Sequence, residues 1–367
     1  MNFKAEVLRD NIPIGTLNLI AGDIKYNSMA RIKRAASITV EADVINSSTG
    51  IILSDKLIYP TIDLYPGDNL FLKSGHSYSE KPILNKMKDR IRIMIDDQSV
   101  GKFMVVSSPK KSNGKITTYE MELYDESYKL DEANLSNRLY FESGTLYLDA
   151  VKTILAEYGY ESVISDEDNH ALQISREWEL GENVMDIVNE LLKEINFNNF
   201  FIDAEGVVRL TKKMQYQVPV HVYREGQCSI LLPDLSQTED IYKIPNVFVG
   251  VVSRPEAEPI MYRKVNDDPN SSVSTVGRGF EIAYVETLSD IASEEELKKY
   301  IEDLYLQSIQ IVEKIEFSTA VEPDHVFEEL VQIDAKNVAG LFKEISWDIE
   351  LSNSGFMKHT AERKVYQ

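Results

Sequence analysis

The sequence predicts an α+β chain in which two β-rich regions flank a compact α/β unit. Three observations predict it. In the first third, apolar and polar residues alternate with a period of two. Near Ser143 the apolar period lengthens to that of a helix. From about Val218 the period returns to two.

In the first region, "KITTYEMELYD" places Thr117, Tyr119, Met121 and Leu123 on one side and Thr118, Glu120 and Glu122 on the other. A strand with one buried face has this pattern. "AASITVEADV" behaves in the same way, with Ile38, Val40 and Ala42 on one face. "RIRIMI" and "KFMVVSS" read as short apolar strands. "YPGDN" and "KKSNGK" supply Gly, Asn and Asp for turns that need positive φ. Short strands at close spacing imply a barrel or a sandwich.

The middle region changes texture. "GTLYLDAVKTILAEYGY" sets Tyr147, Val151, Ile154, Leu155 and Tyr158 on one helical stripe, and Gly159 follows as a stop. "ENVMDIVNELLKEIN" repeats the pattern with Val184, Ile187, Val188, Leu191, Leu192 and Ile195. "LQISR", "NFFID" and "VVRLTKK" read as short strands, the last two joined by the turn "DAEG". Residues of about 142–214 form this α/β unit.

The last region opens on a hairpin. "NVFVGVVSRPEAEPIMYRKV" is a dense apolar strand, a turn at "SRPEAE" and a return strand, followed by the Asn-, Asp- and Ser-rich stretch "NDDPNSS". One helix interrupts, "SEEELKKYIEDLYLQS". Ser293 and Glu296 fit a capping box, Glu294 and Glu295 suit the positive end of the dipole, and Leu297, Tyr300, Ile301 and Leu304 form the stripe expected to be buried. "IQIVEKIEFSTAV" and "ISWDIELSNSG" alternate as strands, the second with Ile345, Trp347, Ile349 and Leu351 on one face.

Composition removes several functions. Asp and Glu number 60 against 39 Lys and Arg, a formal net charge of −21. Surface binding to nucleic acid needs basic charge, so such a partner is disfavoured, although a conduit through which nucleic acid passes without sticking is compatible. The single cysteine, Cys228, forbids an intrachain disulfide and reads as a small packed residue rather than a nucleophile. "MNFKAEVLRDNIPIG" lacks the apolar core of a signal peptide, and no stretch approaches the roughly 18 apolar residues of a spanning helix.

Catalytic signatures are scarce. The histidines, His76, His170, His221, His325 and His359, are scattered, and no two show the i, i+4 spacing of a helical metal site. "TVGRGFE" holds Gly277 and Gly279 without the third glycine of a dinucleotide fingerprint, and reads as a loop before the strand "FEIAYVE". Two acidic loops partly match the ligand spacing of a calcium loop. In "NDDPNSS", Asn266, Asp268 and Asn270 alternate, but Ser271 takes the glycine position and Gly277 that of the bidentate Glu. In "DEDNHALQISRE", Asp166, Asp168, His170 and Glu177 fit better, but Ala171 replaces the turn glycine. Both read as solvated turns. Sixty acidic residues make carboxylate pairs common by chance, so none is selected as an acid/base couple. No catalytic, cofactor-binding or metal-ligating residue is therefore assigned, and no cofactor is expected.

The stretch "IPNVFVGVVSRPEAEPIMYRKVNDDPNSSVSTVGRG", the following helix, "IEFSTAVEPDH" and "ISWDIELSNSGFMKHTAERKV" are similar to the C-terminal half of phage tail hub proteins. "IKRAASITVEADV", "IDLYPGDNLFLKSG", "VGKFMVVSSP" and "YEMELYDESYKLDEANL" resemble the first hub domain and its exit. These are baseplate-hub or tail-tip proteins, related to late-control proteins and to the N-terminal part of type VI secretion spikes. The resemblance implies two tube-like antiparallel β-barrel domains, residues 1–141 and 215–367, with the α/β domain 142–214 between them and one helix near 293–308. It implies a non-enzymatic structural hub: a homotrimer whose pseudo-hexameric ring adapts the sixfold tail tube to the threefold tip. The implied partners are a tail tube or distal tail protein above, a spike, needle or tail-fibre protein below, and DNA or tape-measure protein passing through the lumen. The implied location is the virion tail, after assembly in the bacterial cytoplasm, with no membrane span. Many relatives continue into a lytic or spike domain, whereas this chain ends at Gln367, so any lytic activity is expected on another polypeptide.

Two readings from other classes stand beside this one. The first is a β-rich peptidoglycan or glycoside hydrolase. The second is a carbohydrate-binding tail protein, for which the 19 tyrosines with Trp178 and Trp347 would line a cleft. The charge suggests a lumen without basic lining, with Arg31, Lys33 and Arg34 of "MARIKR" and Lys86, Lys88, Arg90 and Arg92 of "KMKDRIR" on outer or inter-subunit surfaces beside acidic neighbours.

Overall fold

The computed structural model describes residues 1–42, 84–112, 116–172, 174–213, 218–227, 229–239, 244–252, 259–288, 294–308, 311–326, 328–352 and 354–365. The stretch "IDLYPGDNLFLKSG", residues 113–115 of "KKSNGK", His76, Cys228, the hairpin turn "SRPEAE" and Ser293 lie outside the described residues. The chain divides into two compact units. The first comprises Met1–Gln217, Thr319–Glu329 and Ser346–Lys358, and the second Val218–Ser318, Leu330–Ile345 and His359–Gln367.

In the first unit, β1 (Phe3–Arg9), β2 (Ile12–Leu17), β3 (Leu19–Asn27), β4 (Arg34–Ala42), β5 (Arg90–Ile95), β6 (Gln98–Ser107), β7 (Lys110–Ser112) and β8 (Thr117–Tyr124) build an antiparallel sheet. Its path runs β3-β4-β8-β6-β5-β1-β2. Two tight hairpins fix the register. Asp10 and Asn11 (φ 49° and 63°) join β1 to β2, and Asp96 and Asp97 (φ 45° and 68°) join β5 to β6. Positive φ at both central residues is the turn whose twist matches that of the strands. Register shifts at Val7/Leu8, Leu19/Ala21, Ile93/Met94 and Val105/Ser107 add local bend. The buried face carries Ile24, Ile38, Val40, Ile91, Ile93, Phe103, Tyr119, Met121 and Leu123, as the alternation requires. Trp347 completes this core and stacks on Tyr26 at 5.5 Å between ring centroids.

The same unit holds the predicted helical segment: α1 (Tyr128–Asp131), β9 (Leu139–Phe141), α2 (Tyr147–Glu157), β10 (Val163–Ser165), β11 (Arg176–Trp178), α3 (Val184–Glu194), β12 (Phe201–Ile202) and β13 (Val208–Leu210). Helix α2 stops at Gly159 (φ 78°), the residue expected to stop it. Helix α3 starts at Asn183, whose side chain accepts from the Asp186 N–H, and buries Val184, Ile187, Val188, Leu191 and Leu192. "DAEG" is the turn between β12 and β13, with Gly206 at φ 81°. The expected strand "LQISR" begins only at Arg176. Leu172 instead enters the core from a loop, its N–H bonded to the Thr145 carbonyl.

The second unit contains two sheets. In the larger, β14 (His221–Arg224) pairs with β20 (Leu330–Asp334), and β15 (Ser236–Glu239) pairs with β19 (Ile311–Thr319). Strand β20 also pairs with the Ala339–Lys343 part of β21 (Ala339–Glu350). The last strand, β22 (Met357–Val365), contributes Ala361 to a core with Tyr223, Ile315, Phe317, Val331, Ile333 and Phe342. The smaller sheet has the order β17 (Ile260–Val265), β16 (Val247–Val252), β18 (Ala283–Leu288), with a short helix α4 (Thr275–Arg278) before β18 and α5 (Glu294–Ser308) after it.

Three expectations are corrected. First, the strands of 215–367 are not purely antiparallel: β14 with β20 and β16 with β18 run parallel. Parallel neighbours need a long crossover rather than a hairpin, and β16 reaches β18 only after β17, the Asn/Asp/Ser loop and α4. Among the described residues the strands form no closed barrel. Second, Gly277 and Gly279 belong to α4, which Gly279 ends in the left-handed region, so the strand expected as "FEIAYVE" begins at Ala283. Third, Ile345 does not share the buried face of Trp347, Ile349 and Leu351. The buried positions of β21 change parity between Glu344 and Trp347.

Candidate interaction surfaces

The hairpin of β16 and β17 is a packing platform. Phe248, Gly250 and Val252 alternate onto one face and meet α5. Leu297 and Ile301 are fully buried there, Leu304 is partly buried, and Tyr305 packs edge-on against Phe248 at 5.7 Å. Tyr300, expected in the stripe, turns outward (39% exposed) and donates its hydroxyl to Glu286 at 3.1 Å. On the opposite face, Val251 lies opposite Met261 and Val249 lies opposite Val285. Met261 and Val285 are 65% and 60% exposed and lie in neighbouring cross-strand rows, the second of which also holds Arg263, paired with Glu281. Apolar groups held together on a sheet surface are a feature of proteins that assemble.

A second such surface belongs to β14. Among the described residues this strand pairs only with β20. Val218, Val220 and Val222 are all exposed, and Val222 lies in one cross-strand row with Gln332 and Leu341. The other face of the same strand puts Tyr223 into the core. Pro219 has no N–H, and the Arg224–Asp334 ion pair closes the far end of the edge, two devices that limit uncontrolled strand pairing.

The acidic loops use their side chains locally. Asn266 is buried, its amide donates to Ser271 Oγ at 3.2 Å, and Asp268 accepts from the Asn270 N–H at 2.9 Å. Ser274 caps α4 by accepting from the Gly277 N–H. In the other loop Asp168 accepts from the His170 N–H, Asp166 accepts from the Lys212 N–H at 2.8 Å, and Glu177 pairs with Arg138. These contacts shape the turns: Asp168 and His170 meet each other, whereas Asp166 and Glu177 face other partners.

Two buried histidine–carboxylate pairs are the polar clusters that sequence reasoning passed over. In the first unit His325 Nδ1 meets Glu329. In the second unit His359 Nδ1 lies 2.6 Å from Glu344 Oε1, and its ring stacks on Phe317 at 4.6 Å. All four side chains are almost fully buried. The i, i+4 spacing of His325 and Glu329 is legible, but a search for paired histidines does not find it. The second pair joins residues of two strands and leaves no local signal.

The basic stretches are corrected in part. Arg31 pairs with Asp131 and Asp186, Arg90 with Glu126, and Arg92 with Glu6, all within the first unit. Lys33 and Arg34 are buried rather than displayed. Lys33 donates to the Ser28 and Ala30 carbonyls, and Arg34 donates to the Val100 carbonyl at 2.6 Å while its guanidinium lies over Tyr26 and Trp347. Burial lowers the proton affinity of both cations. Burial also raises the Asp125 carboxyl, against hydrogen bonds from Ser127 and the Arg34 N–H.

No helix among the described residues is long and apolar enough to cross a membrane. No family model matches the sequence, and no curated protein matches it. Solved structures do. A tail protein from Neisseria meningitidis MC58 is similar over 100% of this chain and 97% of its own, with a TM-score of 0.65 at 11% identity. The 43 kDa tail protein of prophage MuSo2 from Shewanella oneidensis matches over 98% of both chains, again with a TM-score of 0.65 at 11% identity. In the Francisella PdpA–VgrG complex, the matching chain covers 99% of this chain and 52% of its own length, with a TM-score of 0.55 at 8% identity. The fold of this chain, mostly β-sheet with a few helices, is thus similar to that of two tail proteins and of a chain in a PdpA–VgrG complex.

Proposed function

We propose that this chain is a structural hub of a phage or phage-like tail and is not an enzyme. One observation carries the reading: the fold matches two tail proteins over 100% and 98% of this chain and over 97% and 98% of theirs. Three copies would close into a ring that adapts the sixfold tail tube to the threefold tip and encloses the ejection channel. Residues 1–141 and 215–367 would each supply one β-rich segment of the ring wall, with 142–214 as the α/β domain between them, so that six such segments meet a sixfold tube. A rotational ring requires a heterologous interface, in which two different patches of each copy meet. The tail tube or distal tail protein would sit above, a spike, needle or fibre protein below, and DNA or tape-measure protein would pass through. The chain would reside in the virion tail after assembly in the bacterial cytoplasm.

The experiment is a mass measurement in solution together with symmetry-resolved imaging of the particle. A trimer, or a monomer that becomes a trimeric ring on the tail, is expected. A stable dimer with no ring in the particle would reject the hub. Clearing of peptidoglycan in a zymogram would favour the hydrolase instead, and glycan-dependent thermal shifts would favour the carbohydrate binder.

A further inference from the structure

The first unit contains two apolar cores, and among the described residues none belongs to both. One core lies on the sheet and includes Trp347. The other lies in the helical segment and includes Trp178. Several polar contacts link the two bodies. Arg31, on the loop between β3 and β4, donates to Asp131 and Asp186 at 2.5 Å each and to Asn183, the N-cap of α3, at 3.0 Å. Ser99 Oγ of β6 donates to the Ala204 carbonyl, in the β12–β13 turn, at 3.0 Å. Where the chain passes from the sheet to α1, Glu126 accepts from Arg90 at 2.8 Å and from Lys129 at 2.5 Å, with Lys102 3.7 Å away.

We propose that these charges form an ionic joint, which couples the helical body to the sheet at low salt and releases it at high salt while each core stays folded. Arg31 is half exposed, and Asp186 is more exposed still. Ion pairs in such positions are screened when the Debye length falls to about 3 Å at 1 M salt. Burial of apolar groups is not weakened in this way, so the two cores should outlast the joint. Polar interfaces between folded bodies permit relative motion unless an apolar contact locks them. The joint would therefore let the helical body reorient without unfolding. The inference concerns the fold alone and does not depend on the hub reading.

The two tryptophans make the test direct, because each core has one. The full chain is prepared as Trp178→Phe and as Trp347→Phe, and urea unfolding is followed by the fluorescence of the remaining tryptophan. At about 20 mM salt the two transitions are expected to coincide; at about 1 M they should separate by at least ~0.5 M in urea midpoint. Adding Arg31→Met with Glu126→Gln should produce the separation already at low salt. Coincident transitions at both salt concentrations, or transitions equally separate at both, would overturn the joint. So would unaltered coincidence at low salt in the charge-neutralised variants. Should those variants fail to fold, the salt series on the two single-tryptophan chains decides alone.

Discussion

Gly250 lies directly beneath Leu297: a Cβ built on Gly250 would fall 2.7 Å from Leu297 Cδ1 and 2.8 Å from Ile301 Cδ1. The absent side chain lets α5 lie close against β16. Gly250→Ala should therefore destabilise the second unit by about 1–3 kcal/mol, the usual cost of overpacking a closed core. The measurement is the urea midpoint of the variant against the parent. An unchanged midpoint would mean that the helix shifts outward without loss.

The helix stripe gives a paired prediction. Leu297 is fully buried, whereas Leu306 on the same helix is 57% exposed. Leu297→Asp should cost several kcal/mol, because it places a charge without a partner among apolar groups. Leu306→Asp should stay within about 0.5 kcal/mol of the parent. Equal thermal stability of the two variants would contradict the packing of α5 on β16 and β17.

These packing relations also mark what the sequence makes legible. Alternation found β8 and its buried Tyr119, Met121 and Leu123, and the helical period found α2, α3 and most of α5. Local signals of this kind survive because a strand or helix face is set by its own residues. Tyr300 escaped because helical spacing places it near the buried arc without saying how wide that arc is. The parallel partners of β16 and β20 escaped because pairing between distant segments has no local period. Asp10–Asn11 and Asp96–Asp97 carry a turn signal that can be read, since both residue types tolerate positive φ. Arg34 reads as surface charge in "RIKR", and only the tertiary fold supplies Val100, Tyr26 and Trp347 around it.

Glu126 predicts an acid limit for the first unit. Burial alone would raise its carboxyl, but Lys129 and Arg90 outweigh burial and hold it below the ordinary Glu range. A carboxyl depressed in the folded state contributes stability above its unfolded pKa and loses it as pH falls through the folded value. Stability should thus fall from about pH 5 downward, and Glu126→Gln should flatten that fall. The check is the urea midpoint between pH 7 and pH 3 for parent and variant. Parallel curves would remove Glu126 from the acid response.

The pair of His359 and Glu344 predicts an asymmetry between single and double substitutions. Both side chains are buried, and the imidazole is held by the carboxylate and by the faces of Phe317 and Tyr223. Removing one member takes a close polar partner away from a buried group. Glu344→Leu or His359→Phe alone should each cost about 3–5 kcal/mol. The double variant should cost less than the sum, because the remaining polar group leaves with its partner. Additive losses in a double-mutant cycle would show that the two residues are not energetically coupled.

The charge distribution predicts weak affinity for nucleic acid, and this prediction rests on the hub reading. The chain carries a formal −21, and five cations of its basic stretches are engaged, Arg31, Arg90 and Arg92 by carboxylates and Lys33 and Arg34 by burial, while Lys86 lies over the Tyr119 ring and Lys88 is exposed. DNA gains affinity by exchanging counterions for protein cations, and a surface on which carboxylates outnumber cations offers little such exchange. Exposed ion pairs contribute only about 0–1 kcal/mol each, so they serve register more than stability. The assembled protein should therefore show no DNA retention at physiological salt in a mobility-shift measurement. Replacing Glu6 by Gln and both Asp131 and Asp186 by Asn would take the carboxylate partners from Arg92 and Arg31, and weak retention that falls with added salt should follow if these positions face the passing strand. Tight, salt-sensitive DNA binding by the parent would refute a non-adhesive channel.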